Sequence, residues 1–241
     1  MNILITGATS GIGKQVALNY LAQGHRVFVC GRNQEALAKI EADYPQTATT
    51  VAVDVSELDS VNEAFAPLPD LDIVILNAGV CEYLDINKFE AKLFERVFKV
   101  NVMGTMNCVE ALLPKLGSGS RLVIVGSTAR LLPFTRAQAY GGSKAALQYI
   151  ARSLEVDLAP RGVRVITVSP GFVETPMTDA NDFDMPMQVS VEFAADAIIN
   201  GIRKEKTDVA FPTLFSWFLK LLSRLPQAWQ VAISKRLKSK Q

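Results

Sequence analysis

The chain has 241 residues, 49% of them hydrophobic, and a formal net charge of +1. That length suits one large α/β domain or two small ones with enough apolar material to cover both faces of a sheet, and the near-neutral balance argues against nucleic acid or acidic partners. One histidine, His25, argues against a His-built metal site, and three cysteines (Cys30, Cys81, Cys108) without a CxxC pair fit a reduced, cytoplasmic protein.

The chain opens on Asn2-Ile3-Leu4-Ile5, with no basic run and no cleavage site, so no signal peptide is expected. Strands are predicted at 2–6, 26–30, 49–53, 72–76, 121–127, 164–169 and 207–210. They are Val/Ile-rich with little polar alternation, the pattern of strands buried on both faces. Amphipathic helices are predicted between them, at 12–23, 34–43, 57–66, 89–115 and 138–159. Strand-helix-strand repetition implies a parallel sheet with right-handed crossovers and helices on both faces. No internal repeat or low-complexity linker interrupts it. One domain over 1–241 is expected, with 211–241 an apolar-then-basic helical tail.

The first predicted strand runs into Thr6-Gly7-Ala8-Thr9-Ser10-Gly11-Ile12-Gly13. Gly7 permits a tight turn, Gly11 lets the backbone approach a phosphate, and Gly13 lets the next helix lie close to the sheet. The free N–H groups and positive dipole end of the helix starting near Ile12 then face an anion, with Thr9 and Ser10 in the same cradle. After the second strand, Val29-Cys30-Gly31-Arg32-Asn33 offers no acidic residue for ribose hydroxyls. Arg32 can instead pair with a 2′-phosphate, which points to NADP(H).

The predicted helix at 138–159 carries Tyr140 and Lys144 on one face, one turn apart. A nearby ammonium, with the charge of an oxidised nicotinamide, favours phenolate and lowers a tyrosine pKa from its usual ~10. Tyr140 can then give a proton to a carbonyl oxygen, or take one from an alcohol. Ser127 ends the fifth predicted strand at the ligand crevice, where its hydroxyl can donate to an oxygen that gains charge.

The Gly-x3-Gly-x-Gly spacing, with Ser127, Tyr140 and Lys144 in order behind it, resembles the short-chain dehydrogenase/reductase family in its compact single-domain branch. The resemblance runs from residue 1 to about 210. It implies a doubly wound Rossmann-type α/β fold of about seven parallel strands and an NADP(H)-dependent oxidoreductase acting on a small carbonyl or alcohol. The Gly31-Arg32 pair resembles that of the family's NADP users. Asp54-Val55 resembles its adenine contact, although Asp54 can equally cap the helix beginning near Glu57. Asn77-Ala78-Gly79 resembles the family's Asn-Asn-Ala-Gly with Leu76 in place of the first asparagine, and either steadies the sheet or borders the ribose. Asn101 resembles the asparagine in a distorted helix that holds a relay water beside the lysine, and Lys144 the residue that holds the nicotinamide ribose. Pro170-Gly171-Phe172-Val173-Glu174-Thr175 resembles the family's Pro-Gly-x-Val-x-Thr, whose Val173 main chain and Thr175 would hold the carboxamide and border the pyrophosphate. A symmetric homo-oligomer, dimer or tetramer, is the expected assembly.

Residues 175–191, rich in Met and Phe, resemble a short lid over the substrate, with Phe134 and Gln138 as further lining. Asp179, Asp182 and Asp184 within it disfavour an anionic substrate. The tail carries an apolar run at 214–222, then Trp229, Val231, Ile233 and Leu237 among polar residues, and ends in Lys235, Arg236, Lys238 and Lys240. Two helices packed on the domain are the preferred reading, and contact with a membrane surface is the other. A non-catalytic NADP(H) sensor or a membrane-surface scaffold is the alternative to an enzyme. Intact Ser127, Tyr140 and Lys144 argue against the sensor, and liposome binding without turnover would favour the scaffold.

Overall fold

The computed structural model describes residues 1–179 and 181–238. In β1 (Asn2–Thr6), Ile3 and Ile5 pack into one apolar layer and Leu4 into the opposite one, all fully buried. The strand has no solvent side, so its sequence reads as an unbroken apolar run. Six more strands follow: β2 (Arg26–Gly31), β3 (Ala48–Ala52), β4 (Ile73–Leu76), β5 (Arg121–Val125), β6 (Arg164–Pro170) and β7 (Asp208–Phe211). They form one seven-stranded sheet in the order β3-β2-β1-β4-β5-β6-β7, with every neighbouring pair parallel.

Helices α1 (Gly11–Ala22), α2 (Gln34–Asp43), α3 (Leu58–Phe65), α4 (Ala91–Phe98), α5 (Gly104–Leu112), α6 (Gln138–Leu158), α7 (Pro176–Asp179), α8 (Val191–Arg203), α9 (Thr213–Leu222) and α10 (Gln227–Lys238) complete the chain. One face of the sheet is covered by α1, α2 and α8 through Val16, Leu21, Leu37 and Ile198. The other is covered by α3, α5 and α6 through Phe65, Leu112 and Leu147. This is the doubly wound Rossmann-type α/β fold expected from the strand-helix alternation.

Local differences from the sequence reading have physical causes. The single helix expected over 89–115 is instead α4, a π-helical turn (Lys99–Met103), α5 and a 3₁₀ turn (Leu113–Lys115). β5 stops at Val125, so Ser127 lies beyond the strand, where its hydroxyl accepts from Ala129 N at 3.1 Å and opens a short 3₁₀ turn. Helix α8, which the sequence reading leaves unassigned, forms the crossover from β6 to β7, its Ser190 hydroxyl accepting from Phe193 N. The tail forms α9 and α10, while Lys240 lies outside the described residues.

Candidate active site

The sheet order reverses between β1 and β4, which opens a crevice at the carboxyl ends of the strands. A cleft of about 420 Å³ fills it. Its walls are Gly7, Thr9, Ser10, Gly11 and Ile12 after β1, Arg32 after β2, Asp54 and Val55 after β3, Asn77, Ala78 and Gly79 after β4, and Thr175 after β6. Gly7 and Gly11 have φ of 63° and 51°, the left-handed region that a side chain disfavours. Gly13 lies outside the cleft wall. A Cβ there would collide with Asn77 Nδ2 and the Gly7 carbonyl, so this glycine allows close packing beneath the turn. Ser10 opens α1 without a side-chain cap, leaving first-turn N–H groups for an anion. This bare, glycine-lined helix terminus fits a dinucleotide.

Asn77 serves the framework directly. Its side chain donates to the carbonyls of Thr6 (3.1 Å) and Gly7 (3.2 Å), while the Thr6 hydroxyl accepts from Asn77 N and Ala78 N. Leu76 is buried in the sheet, so the side chain standing where the family motif has asparagine makes apolar contact instead. Asn33 caps α2 by accepting from Ala36 N at 3.0 Å, which leaves Arg32 out of the cap. Arg32 is exposed, its guanidinium 3.6 Å from Asp54. Asp54 also accepts from Ser56 N and Oγ at 2.9 and 2.8 Å. Burial raises its carboxyl, but the Ser56 bonds and Arg32 outweigh that and hold it below the usual range.

A smaller compartment of about 110 Å³ adjoins the cleft through Ile12, Asn77, Gly79 and Thr175. It brings Ser127, Tyr140 and Lys144 together with Pro170, Gly171 and Val173. Lys144 is buried, donates to the Val125 carbonyl at 3.0 Å, and lies 5.7 Å from the Tyr140 ring centroid. The protein's own groups shift Tyr140 upward, whereas the lowered pKa expected from the sequence also calls on the charge of an oxidised nicotinamide. Burial pushes Tyr140 up to about 12, nearby Cys81 adds to that, and the hydrogen bond with Ser127 pulls back. Burial likewise pushes Lys144 down to about 8, with Cys81 opposing. Desolvation of the charged form is the largest cause of both shifts.

Asn101 is fully buried in the π-helical turn, which gives the predicted distortion. Its Oδ1 accepts from Val80 N (2.8 Å), and its Nδ2 donates to the Val80 carbonyl (3.0 Å) and to Ser143 Oγ (3.0 Å). Ser143 in turn donates to the Tyr140 carbonyl at 2.7 Å. The amide therefore clamps the loop after β4 to α6. The Thr105 hydroxyl donates to the Asn101 carbonyl at 2.7 Å. Ser143 escaped the sequence reading, although a serine inside a helix at i+3 from Tyr140 signals such a back-bond. Cys81 and Tyr83 escaped it too, since a lone thiol and a loop tyrosine carry no spacing signal.

The 175–191 segment is held at several points. Val189 bridges Val173, and Phe183 packs edge-on to Tyr83 and Phe172. Arg136 pairs with Asp182 at 2.7 Å and lies 5.5 Å from the Tyr83 ring centroid. That pairing neutralises one of the three acidic residues counted against an anionic substrate. Phe134 and Gln138 do not line the inner compartment.

A family model for short chain dehydrogenases matches residues 1–185. The serine 3-dehydrogenase of Agrobacterium fabrum is 34% identical, over 88% of this chain and 86% of that protein. An NADP-dependent 3-hydroxy acid dehydrogenase of Salmonella typhi is 31% identical, over 72% of this chain and 73% of that protein. The solved structure of a short chain dehydrogenase from Burkholderia cenocepacia, in complex with NADP, superposes with a TM-score of 0.85 over 96% of each chain at 24% identity, a likeness of fold.

Proposed function

The chain belongs to the short-chain dehydrogenase family, an oxidoreductase acting between carbonyl and alcohol with a nicotinamide cofactor, and we propose that it uses NADP(H), with Tyr140 as the proton donor and acceptor. The observation that carries this reading is the meeting of Ser127, Tyr140 and Lys144 in one compartment that opens on the glycine-lined cleft. The bound nicotinamide would supply or accept the hydride. Gly11, Ile12 and the first turn of α1 would hold the pyrophosphate, Arg32 the 2′-phosphate, Asp54 and Val55 the adenine, and Val173 and Thr175 the carboxamide end. Ser127 would donate to the substrate oxygen while Tyr140 delivers its proton, and Lys144 would stabilise the resulting phenolate and hold the ribose. Asn101 would position this group through Val80 and Ser143. The relative from Salmonella is NADP-dependent by name, which supports the reading of Arg32.

Met177, which lines both compartments, and the Met side chains of the 175–191 segment support an uncharged, apolar carbonyl substrate. Three unpaired cysteines support a reducing, cytoplasmic setting.

Melting temperatures with NADPH and NADH, read beside turnover, test the proposal. NADPH should raise the melting temperature more than NADH at equal concentration. Tyr140→Phe should keep that shift and lose about 100- to 10,000-fold in turnover. Near-normal turnover in Tyr140→Phe would refute the role given to its hydroxyl, and a larger shift with NADH would refute the role of Arg32.

A further inference from the structure

Helix α9 has two apolar faces, and only one is covered. Ser216 and Leu219 are buried, Phe215 packs on Phe172 at 6.1 Å between ring centroids, and Lys220 is tied to Asp208 at 2.6 Å. These contacts fix the rotation of the helix. Leu214, Trp217, Phe218 and Leu221, spaced i, i+3, i+4 and i+7, are thereby turned to solvent at 67, 62, 52 and 47% exposure. Trp229 on α10 is 63% exposed. Single exposed leucines need no explanation, but a continuous apolar stripe that includes one tryptophan and is followed by a second exposed one does.

The charges along this part of the sequence are one-sided. From Pro212 onward the chain has six of its 25 Lys and Arg and none of its 24 Asp and Glu, giving +6 there against −5 for the preceding residues. We propose that the outer face of α9, continued by α10, docks on an anionic lipid surface. Leu, Phe and Trp side chains enter the headgroup region, and exposed basic residues such as Arg224 and Lys235 meet acidic headgroups, whereas Lys220 stays paired with Asp208. A second copy of the chain is the poorer occupant, because twofold pairing would set one +6 segment against another. Among the described residues no helix is long and apolar enough to cross a membrane, so the helices lie on the surface. The inner side of α9 meets the substrate side of the enzyme, with Phe215 against Gly171 of the inner compartment. Docking therefore brings that compartment close to the bilayer, where apolar carbonyl compounds concentrate.

The test is sedimentation of the full chain with phosphatidylcholine vesicles, with and without a third of phosphatidylglycerol, at low and high salt. The chain should pellet with the anionic vesicles, far less with phosphatidylcholine alone, and be released by salt. A Trp217→Ser/Phe218→Ser double variant should bind at least about tenfold more weakly while keeping its NADPH-induced melting shift, since neither residue touches the cleft. Arg224→Gln, a conservative surface change, should weaken binding roughly fivefold. Three results would overturn the proposal. They are no pelleting of the unaltered chain, equal pelleting on neutral and anionic vesicles, or a dimer that the double variant converts to monomer without any vesicle binding.

Discussion

Tyr140 and Lys144 sit in a conflict that their spacing does not reveal. Their i, i+4 register suggests mutual stabilisation of charge, yet burial raises Tyr140 to about 12 and lowers Lys144 to about 8. A buried ammonium whose pKa falls below its unfolded value of ~10.4 costs folding energy wherever it is charged. That cost is fully present below about 8 and fades as pH rises toward the unfolded value. Lys144→Met should therefore stabilise the cofactor-free protein more at neutral pH than at pH about 10, by a difference on the order of 2 kcal/mol. Denaturant melts of both proteins across that range check this, and a pH-independent difference would contradict it. The Val125 carbonyl, left without its bond, subtracts from the gain at every pH without altering its slope.

At the scale of elements, the π-helical turn between α4 and α5 converts a helix into a fastener. It turns Asn101 inward so that one amide holds both backbone groups of Val80 and the Ser143 hydroxyl. Val80 follows Gly79, which lines both compartments, and Ser143 lies one residue before Lys144, so this contact ties their shared edge to the helix that carries Lys144. Asn101→Ala leaves the part-buried Val80 N–H and carbonyl and the Ser143 hydroxyl without this partner and should cost about 2 kcal/mol, whereas Ser143→Ala should cost about 1 kcal/mol. Both should lower turnover, with the larger loss for Asn101→Ala. Chemical denaturation with activity assays would decide, and equal small costs would show that the clamp does not bear on the site. The long amphipathic stretch from 89 to 115 was legible in the sequence. The distortion at Asn101 was implied only by the family resemblance and not by local chemistry, because the partners of its side chain are 21 and 42 residues away.

Across the whole molecule, one polar cluster joins the tail to the catalytic side. Asp208 on β7 accepts from Ser169 at 2.9 Å and from Lys220 of α9 at 2.6 Å, with Arg130 at 3.7 Å in the turn after Ser127. Burial pushes the Asp208 carboxyl up, but Lys220, Ser169 and Arg130 together hold it below its usual value. Its contribution is thus complete above the unfolded pKa of ~3.9 and disappears as pH falls through the lower folded value. Asp208→Asn should cost about 2 kcal/mol at neutral pH, less than a fully buried pair because Lys220 is partly exposed. The difference from the unaltered chain should vanish in acid. A cost that does not shrink as the pH falls below ~3.9 would mean that packing, and not charge, is responsible.

Local chemistry wrote much of this protein into its sequence. Seven apolar runs became seven parallel strands, because a strand covered on both sides must be apolar throughout. The glycines at 7, 11 and 13 marked a turn that side chains would obstruct, and the Tyr140–Lys144 spacing placed two functional groups on one helix face. Tertiary structure decided what depends on residues far apart in the chain. It set the directions in which Tyr140 and Lys144 are shifted, since desolvation depends on every group packed around them. It gave Asn101 its partners on Val80 and Ser143, and paired Asp182 with Arg136. It also selected which face of α9 is covered, because only the contacts of Phe215, Leu219 and Lys220 fix the helix's rotation and leave Trp217 and Phe218 in solvent.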